Sequence, residues 1–153
     1  MISIRRVRLP IDGMELLTEE SLAEGYRFVQ RLQDDWASGR NRFSEEGETL
    51  YCAFEEEELV AIGGLNRDPF TDSLGIGRLR RIYVRPAWRR RGIGSALVSA
   101  LLREAAASFR QVRLRTENPD AARLYEKMGF ERLASPDATH ALSVDSTSLD
   151  FHE

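Results

Sequence analysis

Thiols, imidazoles and amines are all scarce in this sequence. Its 153 residues include one cysteine, Cys52, and two histidines, His140 and His152. A lone cysteine excludes an internal disulfide, and the two histidines lack any spacing that suits a metal site. Of 22 basic residues, 21 are arginine and only Lys127 is lysine. Chemistry that needs a deprotonated lysine has one candidate, which disfavours a Schiff-base enzyme. Long apolar runs are missing as well: residues 59–65 are interrupted by Gly63 and Gly64, whereas a membrane-spanning helix needs about 20 apolar residues. Arg5, Arg6 and Arg8 stand where an export signal requires its apolar stretch. The expectation is a cytoplasmic protein without metal or membrane span.

What is present is an ordinary globular composition, 42% hydrophobic and 31% charged, in a chain long enough for one core. A single domain is expected over residues 1–144, with a loose tail over 145–153. The net charge of −3 argues against a general nucleic-acid surface, yet it averages two opposed fields. Residues 78–91 hold seven arginines and no acid, and residues 45–58 hold seven glutamates and no base. The acidic run reads as a solvated hairpin and loop, with attraction of a cationic amine as the functional alternative.

β-branched residues in segment 2–9, ended by Pro10, suit a strand near a sheet edge. Asp12 and Glu15 resemble a capping pair. Leu22, Tyr26, Val29, Gln33 and Trp36 recur at helical spacing with Gly25 as a weak point, so residues 14–37 predict one or two helices. Residues 49–54 and 59–65 flank the acidic turn and read as a hairpin. After the turn-rich stretch from Asn66 to Gly77, residues 78–84 predict a fourth strand. Residues 93–109 carry the wide apolar face of a packed helix, and 111–115 alternate as a fifth strand. Asn118-Pro119-Asp120 opens a further helix, stopped by Gly129. Residues 130–133 and 139–144 close the pattern as strands. This order predicts an α+β layer fold in which parallel and antiparallel pairings share one sheet.

The segment Pro86-Ala87-Trp88-Arg89-Arg90-Arg91-Gly92-Ile93-Gly94-Ser95 joins a strand end to the start of the long helix. Unpaired backbone N–H groups and the helix dipole favour an anion there. Gly92 and Gly94 allow close approach, and the arginines add planar donor forks, a combination suited to a diphosphate. The spelling argues against two other phosphate loops. A nucleotide-triphosphatase loop needs Gly-Lys-Ser/Thr, and Lys127 lies elsewhere; a dinucleotide fingerprint needs glycine at position 97, where Leu97 stands. A solvated arginine turn is the bland reading that remains.

Context weighs against that turn. Arg89-x-x-Gly92-x-Gly94 follows Tyr83-Val84-x-Pro86 and resembles the acyl-CoA signature Gln/Arg-x-x-Gly-x-Gly/Ala of the GNAT superfamily of N-acetyltransferases. Asn118, Ala121, Leu124, Tyr125, Lys127, Gly129 and Phe130 match that family's second pattern, Asn-x-x-Ala-x-x-Leu-Tyr-x-Lys-x-Gly-Phe, in register. The two motifs cover residues 78–130; the N-terminal half agrees only in the order of its elements. The resemblance implies a GNAT-like mixed sheet of six to seven strands flanked by helices, with strands four and five splayed around acyl-CoA.

It also implies roles. Ile82, Tyr83 and Val84 would pair with the pantetheine arm like an added strand, which satisfies N–H and C=O groups that a sheet gap leaves open. Arg89 belongs to the signature, and the amides of Arg90, Arg91, Gly92, Ile93, Gly94 and Ser95 would hold the pyrophosphate. Asn118 reaches the pantetheine, and Lys127 or a nearby arginine meets the 3'-phosphate. Tyr125 resembles the general acid that protonates the departing CoA thiolate; a free phenol lies within about two pKa units of a thiol. Its alternative is an aromatic packed on the sheet.

Relatives often place a carboxylate or histidine on strand four, but residues 78–84 hold neither. Glu117 acting through water is the candidate base, with Asp68 and Asp72 as alternatives that read first as solvated loop residues, and water alone as a third. His140 reads as a hydrogen-bonded structural histidine before an acceptor-site group, and Cys52 as a small buried strand residue. Trp36, Asn41, Arg42 and Phe43 lie where the family's acceptor side is lined, Trp36 being core first. The implied activity is transfer of acetyl from acetyl-CoA, as cosubstrate, to the primary amine of a small molecule or peptide. A homodimer accords with the resemblance. A noncatalytic acyl-CoA-binding or regulatory module stays open as the alternative.

Overall fold

The computed structural model describes residues 1–144, and the expected tail at 145–153 lies outside them. Strand β1 (Ile2–Val7) is followed by helices α1 (Met14–Ala23) and α2 (Phe28–Ser38). Next come β2 (Thr49–Glu55), β3 (Glu58–Arg67) and β4 (Ile76–Val84), then α3 (Ile93–Ser108) and β5 (Gln111–Leu114). Helix α4 (Pro119–Lys127) precedes the short strands β6 (Glu131–Arg132) and β7 (His140–Ser143). The sheet runs β1-β2-β3-β4-β5-β7-β6. Among the described residues only β4 and β5 pair in parallel, and they are joined through α3, because a parallel return needs a crossover.

The apolar stripes predicted for the helices face the sheet from both sides. Leu97, Val98 and Leu101 of α3 and Tyr125 of α4 pack against Val60, Leu65, Leu79 and Val112. Leu17 of α1 and Val29 and Leu32 of α2 pack on the opposite face against Cys52, Ile62 and Tyr83. Gly63 and Gly64 let both layers approach β3: a Cβ on Gly63 would stand 2.6 Å from Ile82 Cδ1, and one on Gly64 would overlap the Phe43 ring. Gly64→Val is therefore expected to destabilise the fold by about 1–3 kcal/mol through overpacking. A melting curve unchanged from wild type would refute that contact.

Several boundaries differ from expectation for identifiable reasons. Helix α1 is entered through Gly13 at φ 98° with no side-chain cap, instead of through Asp12 and Glu15. The chain passes so near Leu59 that a Cβ on Gly13 would lie 2.9 Å from Leu59 Cβ, which favours glycine there. Strand β4 begins at Ile76, before the expected start at Arg78. Gly77, which read as a loop residue, lies in the strand, paired with Arg67 and Val112, and the Phe109 ring crosses it, 2.7 Å from where a Cβ would be. Strand β1 ends at Val7, short of Leu9. The last two strands are shorter than predicted, and β7 inserts between β5 and β6.

Candidate functional site

The site is built around a gap in the sheet. Strands β4 and β5 pair only from Ile76 to Arg78 and from Gln111 to Arg113. From Leu79 to Val84, β4 has no strand on that side among the described residues. A bulge accompanies the divergence: Gly64 pairs with Arg80 and Ile62 with Tyr83, so Arg81 and Ile82 together oppose Gly63. Arg81 takes φ 62°, and such an insertion bends and twists a strand. Asp35 Oδ2 of α2, 3.5 Å from Arg81 Nη2, holds the unusual residue. The bulged strand itself carries no glycine at the irregularity; the glycines there, Gly63 and Gly64, lie on the partner strand β3.

Beyond β4, a single 3-10 turn at Pro86–Trp88 leads into α3. Arg90 at φ 66° and Gly92 at φ 79° turn the chain through two left-handed residues. A Cβ on Gly92 would meet nothing within 4 Å, so glycine serves the backbone conformation there and the space above it is open. Helix α3 has no side-chain cap, and its first internal bond is donated by Ala96 N to Gly92 O at 3.0 Å. Among the described residues, the amides of Ile93, Gly94 and Ser95 have no acceptor. Helix α4 differs: Asn118 Oδ1 accepts from Asp120 N at 2.8 Å and from Ala121 N at 3.3 Å. One helix end is satisfied by its own sequence; the other leaves its amides open, an arrangement that favours an anion.

The arginines around this end are not equivalent. Arg89 forks onto Glu24 through Nη1 at 2.7 Å and Nη2 at 2.6 Å, and its Nε donates to Val84 O at 2.9 Å. That pair lifts the Arg89 pKa and holds the Glu24 carboxyl below the usual range. Buried Arg85 donates to Glu20 Oε2 and Glu58 Oε2, each at 2.9 Å. Arg91 Nη1 lies 3.9 Å from Glu55 Oε1, which also accepts from Trp88 Nε1. The acidic and basic runs read from the sequence thus meet across the hairpin, so Glu55 and Glu58 are engaged as well as partly solvated. Among the described residues, Arg90 has no ion pair; it and the free amides are the donors this loop leaves uncommitted.

Tyr125 is 6% exposed, edge-on to Phe130 at 5.6 Å, and its hydroxyl makes no hydrogen bond among the described residues. Burial pushes the phenol up to about 12. Ile82 turns its side chain to the α3 layer and Tyr83 to the α1 and α2 layer, where Tyr83 Oη donates to Glu24. Lys127 is exposed in the last turn of α4. Asn118 Nδ2 donates to Tyr26 Oη at 3.3 Å. Glu117 is exposed, with Oε1 accepting from Arg115 Nη2 at 2.7 Å.

The solvated-loop expectation for Asp68 is corrected. Its side chain is 1% exposed, accepts from Phe70 N at 3.0 Å and lies 3.6 Å from Arg78 Nη1, because Asp68 N donates to Ile76 O and draws the loop in. Asp72 is exposed, as expected. His140 Nε2 pairs with Glu126 Oε2 and Nδ1 with Thr139 Oγ1, each at 2.8 Å, and this hydrogen bond is the main reason the Glu126 carboxyl titrates low. Cys52 is fully buried and its thiol is pushed up to about 12 by that burial, so it stays protonated at neutral pH. Asn41 and Asn66 exchange hydrogen bonds at 3.0 Å, Arg42 stacks over Trp36 and Phe43 covers Gly64, all on the α1 and α2 face. Sequence reasoning missed Glu20, Glu24 and Asp35, the carboxylates that hold the gap's arginines. Their partners lie 65 residues away for the first two, beyond any local pattern.

Among the described residues, no helix is long and apolar enough to cross a membrane, and no group of three potential metal ligands occurs. A protein of Mycobacterium leprae (strain TN), itself uncharacterized, is 35% identical over 77 residues; the match takes in 50% of this chain but 21% of that relative, so the chain spans about a fifth of its length. The crystal structure of a candidate acetyltransferase from Exiguobacterium sp. 255-15 superposes with a TM-score of 0.85 at 28% identity, covering 100% of this chain and 99% of the other. The ribosomal-protein-S18-alanine N-acetyltransferase of Escherichia coli shares the fold at a TM-score of 0.67 and 19% identity, over 95% of each chain. The family model described as Acetyltransferase (GNAT) family matches residues 13–130. That span contains the parted strands, the uncapped helix and Tyr125, and the chain belongs to the GNAT acetyltransferase family.

Proposed function

We propose that this protein is an N-acetyltransferase that moves acetyl from acetyl-CoA to a primary amine by direct attack. The observation that carries the reading is the uncapped start of α3, with three amides free and a left-handed Gly92, opening beside a strand edge that lacks a partner among the described residues. Bound acetyl-CoA supplies an activated acyl carbon and a thiol leaving group. The amides of Ile93, Gly94 and Ser95, with Arg90 and Arg91, bind its pyrophosphate. The free edge at Ile82, Tyr83 and Val84 satisfies amide groups of its pantetheine arm, Asn118 reaches the pantetheine side, and Lys127 or a nearby arginine meets the 3'-phosphate. Arg89, committed to Glu24, braces the loop against the start of the α1–α2 connection and contributes positive charge.

In the transfer the amine nitrogen forms a bond to the acetyl carbon and the carbon–sulfur bond breaks. Tyr125 donates its hydroxyl proton toward the departing sulfur, and Glu117, through water, takes the proton lost by the amine. At about 12 the Tyr125 hydroxyl is fully protonated at neutral pH. The match to a free thiol, near 8.5, is poorer than for an ordinary phenol. Burial would push a thiol in the same direction.

Calorimetric titration with acetyl-CoA, followed by thiol release over an amine panel, tests the reading. Gly92→Glu should weaken acetyl-CoA binding at least tenfold, since it strains a left-handed position and puts a carboxylate among anion-binding amides. Unchanged affinity would remove the cofactor assignment. A noncatalytic acyl-CoA-binding module, favoured by the lack of a carboxylate or histidine on β4, would bind without releasing thiol.

A further inference from the structure

Outside the cofactor groove, the largest unexplained feature is a set of arginines on the α2 side of β4. Arg78 pairs with Asn66 and Arg80 with Gly64, and directly opposed residues share a face. Phe43 over Gly64 identifies that face as the one covered by α1 and α2. The bulge brings Arg81 to the same side, where it reaches Asp35 of α2. Consecutive residues that would otherwise alternate thus both present guanidinium groups, within the stretch of β4 that faces the gap.

Acids balance them only in part, with Asp68 and Asp137 acting on Arg78 and Asp35 on Arg81. Asp68 lies 3.6 Å from Arg78, and Asp35 is divided between Arg81 at 3.5 Å and Arg40 at 3.7 Å. Arg80 has no ion pair among the described residues. Arg78 Nη2 donates to Asp137 O at 2.6 Å, but among the described residues Arg78 Nη1 and Arg81 Nε are buried without a hydrogen-bond partner, on side chains only 7% and 13% exposed. Burial first, and the neighbouring Arg80 charge in addition, depress both guanidinium pKa values. Buried charged donors without acceptors are unfavourable unless something else satisfies them.

We propose that Arg78, Arg80 and Arg81 receive an anionic group of the acceptor, so that the preferred acceptor is an amine that also carries a carboxylate. The inference rests on the transferase reading and adds its substrate class. Two carboxylate oxygens suit planar guanidinium donors, and the same field repels polyamines. It also favours the neutral form of a nearby amine, because adjacent positive charge disfavours an ammonium. That gives the attacking nitrogen its lone pair on a strand that supplies no carboxylate or histidine.

The test compares glycine, β-alanine and L-serine with their amides, and with spermidine, by thiol release from acetyl-CoA. At least one acid should exceed its amide more than tenfold in kcat/KM, with spermidine poorest, and Arg80→Gln should shrink that preference at least fivefold. Amides or spermidine used as well as the acids, or a preference untouched by Arg80→Gln, would overturn the anionic site. Calorimetry of N-acetylglycine, N-acetyl-β-alanine and N-acetyl-L-serine against their amides, with CoA-loaded protein, runs in parallel. If no amine releases thiol, the transferase reading fails, and this binding comparison still decides the site: tighter binding of an acid supports it, and equal binding refutes it.

Discussion

Tyr125→Phe should lower kcat by about a hundredfold or more, in the range typical of a lost general acid, while changing acetyl-CoA affinity far less. The substitution removes one oxygen and keeps the ring against Phe130. Because the hydroxyl has no partner among the described residues, its loss strands no buried group, and stability should be preserved or slightly raised. A purely structural aromatic therefore predicts no change in kcat, and an unaltered rate at saturating substrate would exclude the acid role. The pH dependence gives a second check. The acid must be protonated, and its folded pKa is raised from 10.0 to about 12. Turnover should not fall on account of this group until pH approaches that value. Since the folded pKa lies above the unfolded one, the stability contributed by neutral Tyr125 is complete below pH 10.0 and is lost between there and about 12. An alkaline limb centred near pH 8 that vanishes in Tyr125→Phe would contradict the assigned environment.

Leu101→Ala should destabilise the fold by about 2–5 kcal/mol, the range for truncating a fully buried leucine. Leu101 has no exposed surface, and its Cδ1 would lie 3.1 Å from a Cβ on Gly63. The cavity would open between α3 and β3, where a bare glycine offers nothing to fill it. For a chain of this size each kcal/mol lowers Tm by roughly 2–4 °C, so calorimetry should show a fall of about 4 °C at least. Helix α3 also carries the free amides at its start, so acetyl-CoA should recover part of the lost stability through binding linkage. A Tm within 2 °C of wild type would mean that the layer repacks around the deletion.

Much of the site was legible because its backbone parts are local. Gly92 and Gly94 at a strand–helix junction, and Asn118 and Gly129 at the two ends of α4, announce themselves by residue type. The arginine and glutamate runs were visible too, but not their mutual neutralisation, which depends on the β2–β3 hairpin meeting the loop after β4. Asp68 was misjudged for the same reason: loop composition reports polarity, whereas its burial follows from the backbone bond to Ile76 and from Arg78.

Sequence alone determined the order of elements, the apolar faces of the helices and the two motifs, since each depends on residues within a few turns of one another. Tertiary structure alone decided the bulge at Arg81, the extent of the gap between β4 and β5, and which arginines stay uncommitted. Those features arise from pairing between distant segments, where register and the supply of counter-ions, more than local propensity, set the lowest free energy.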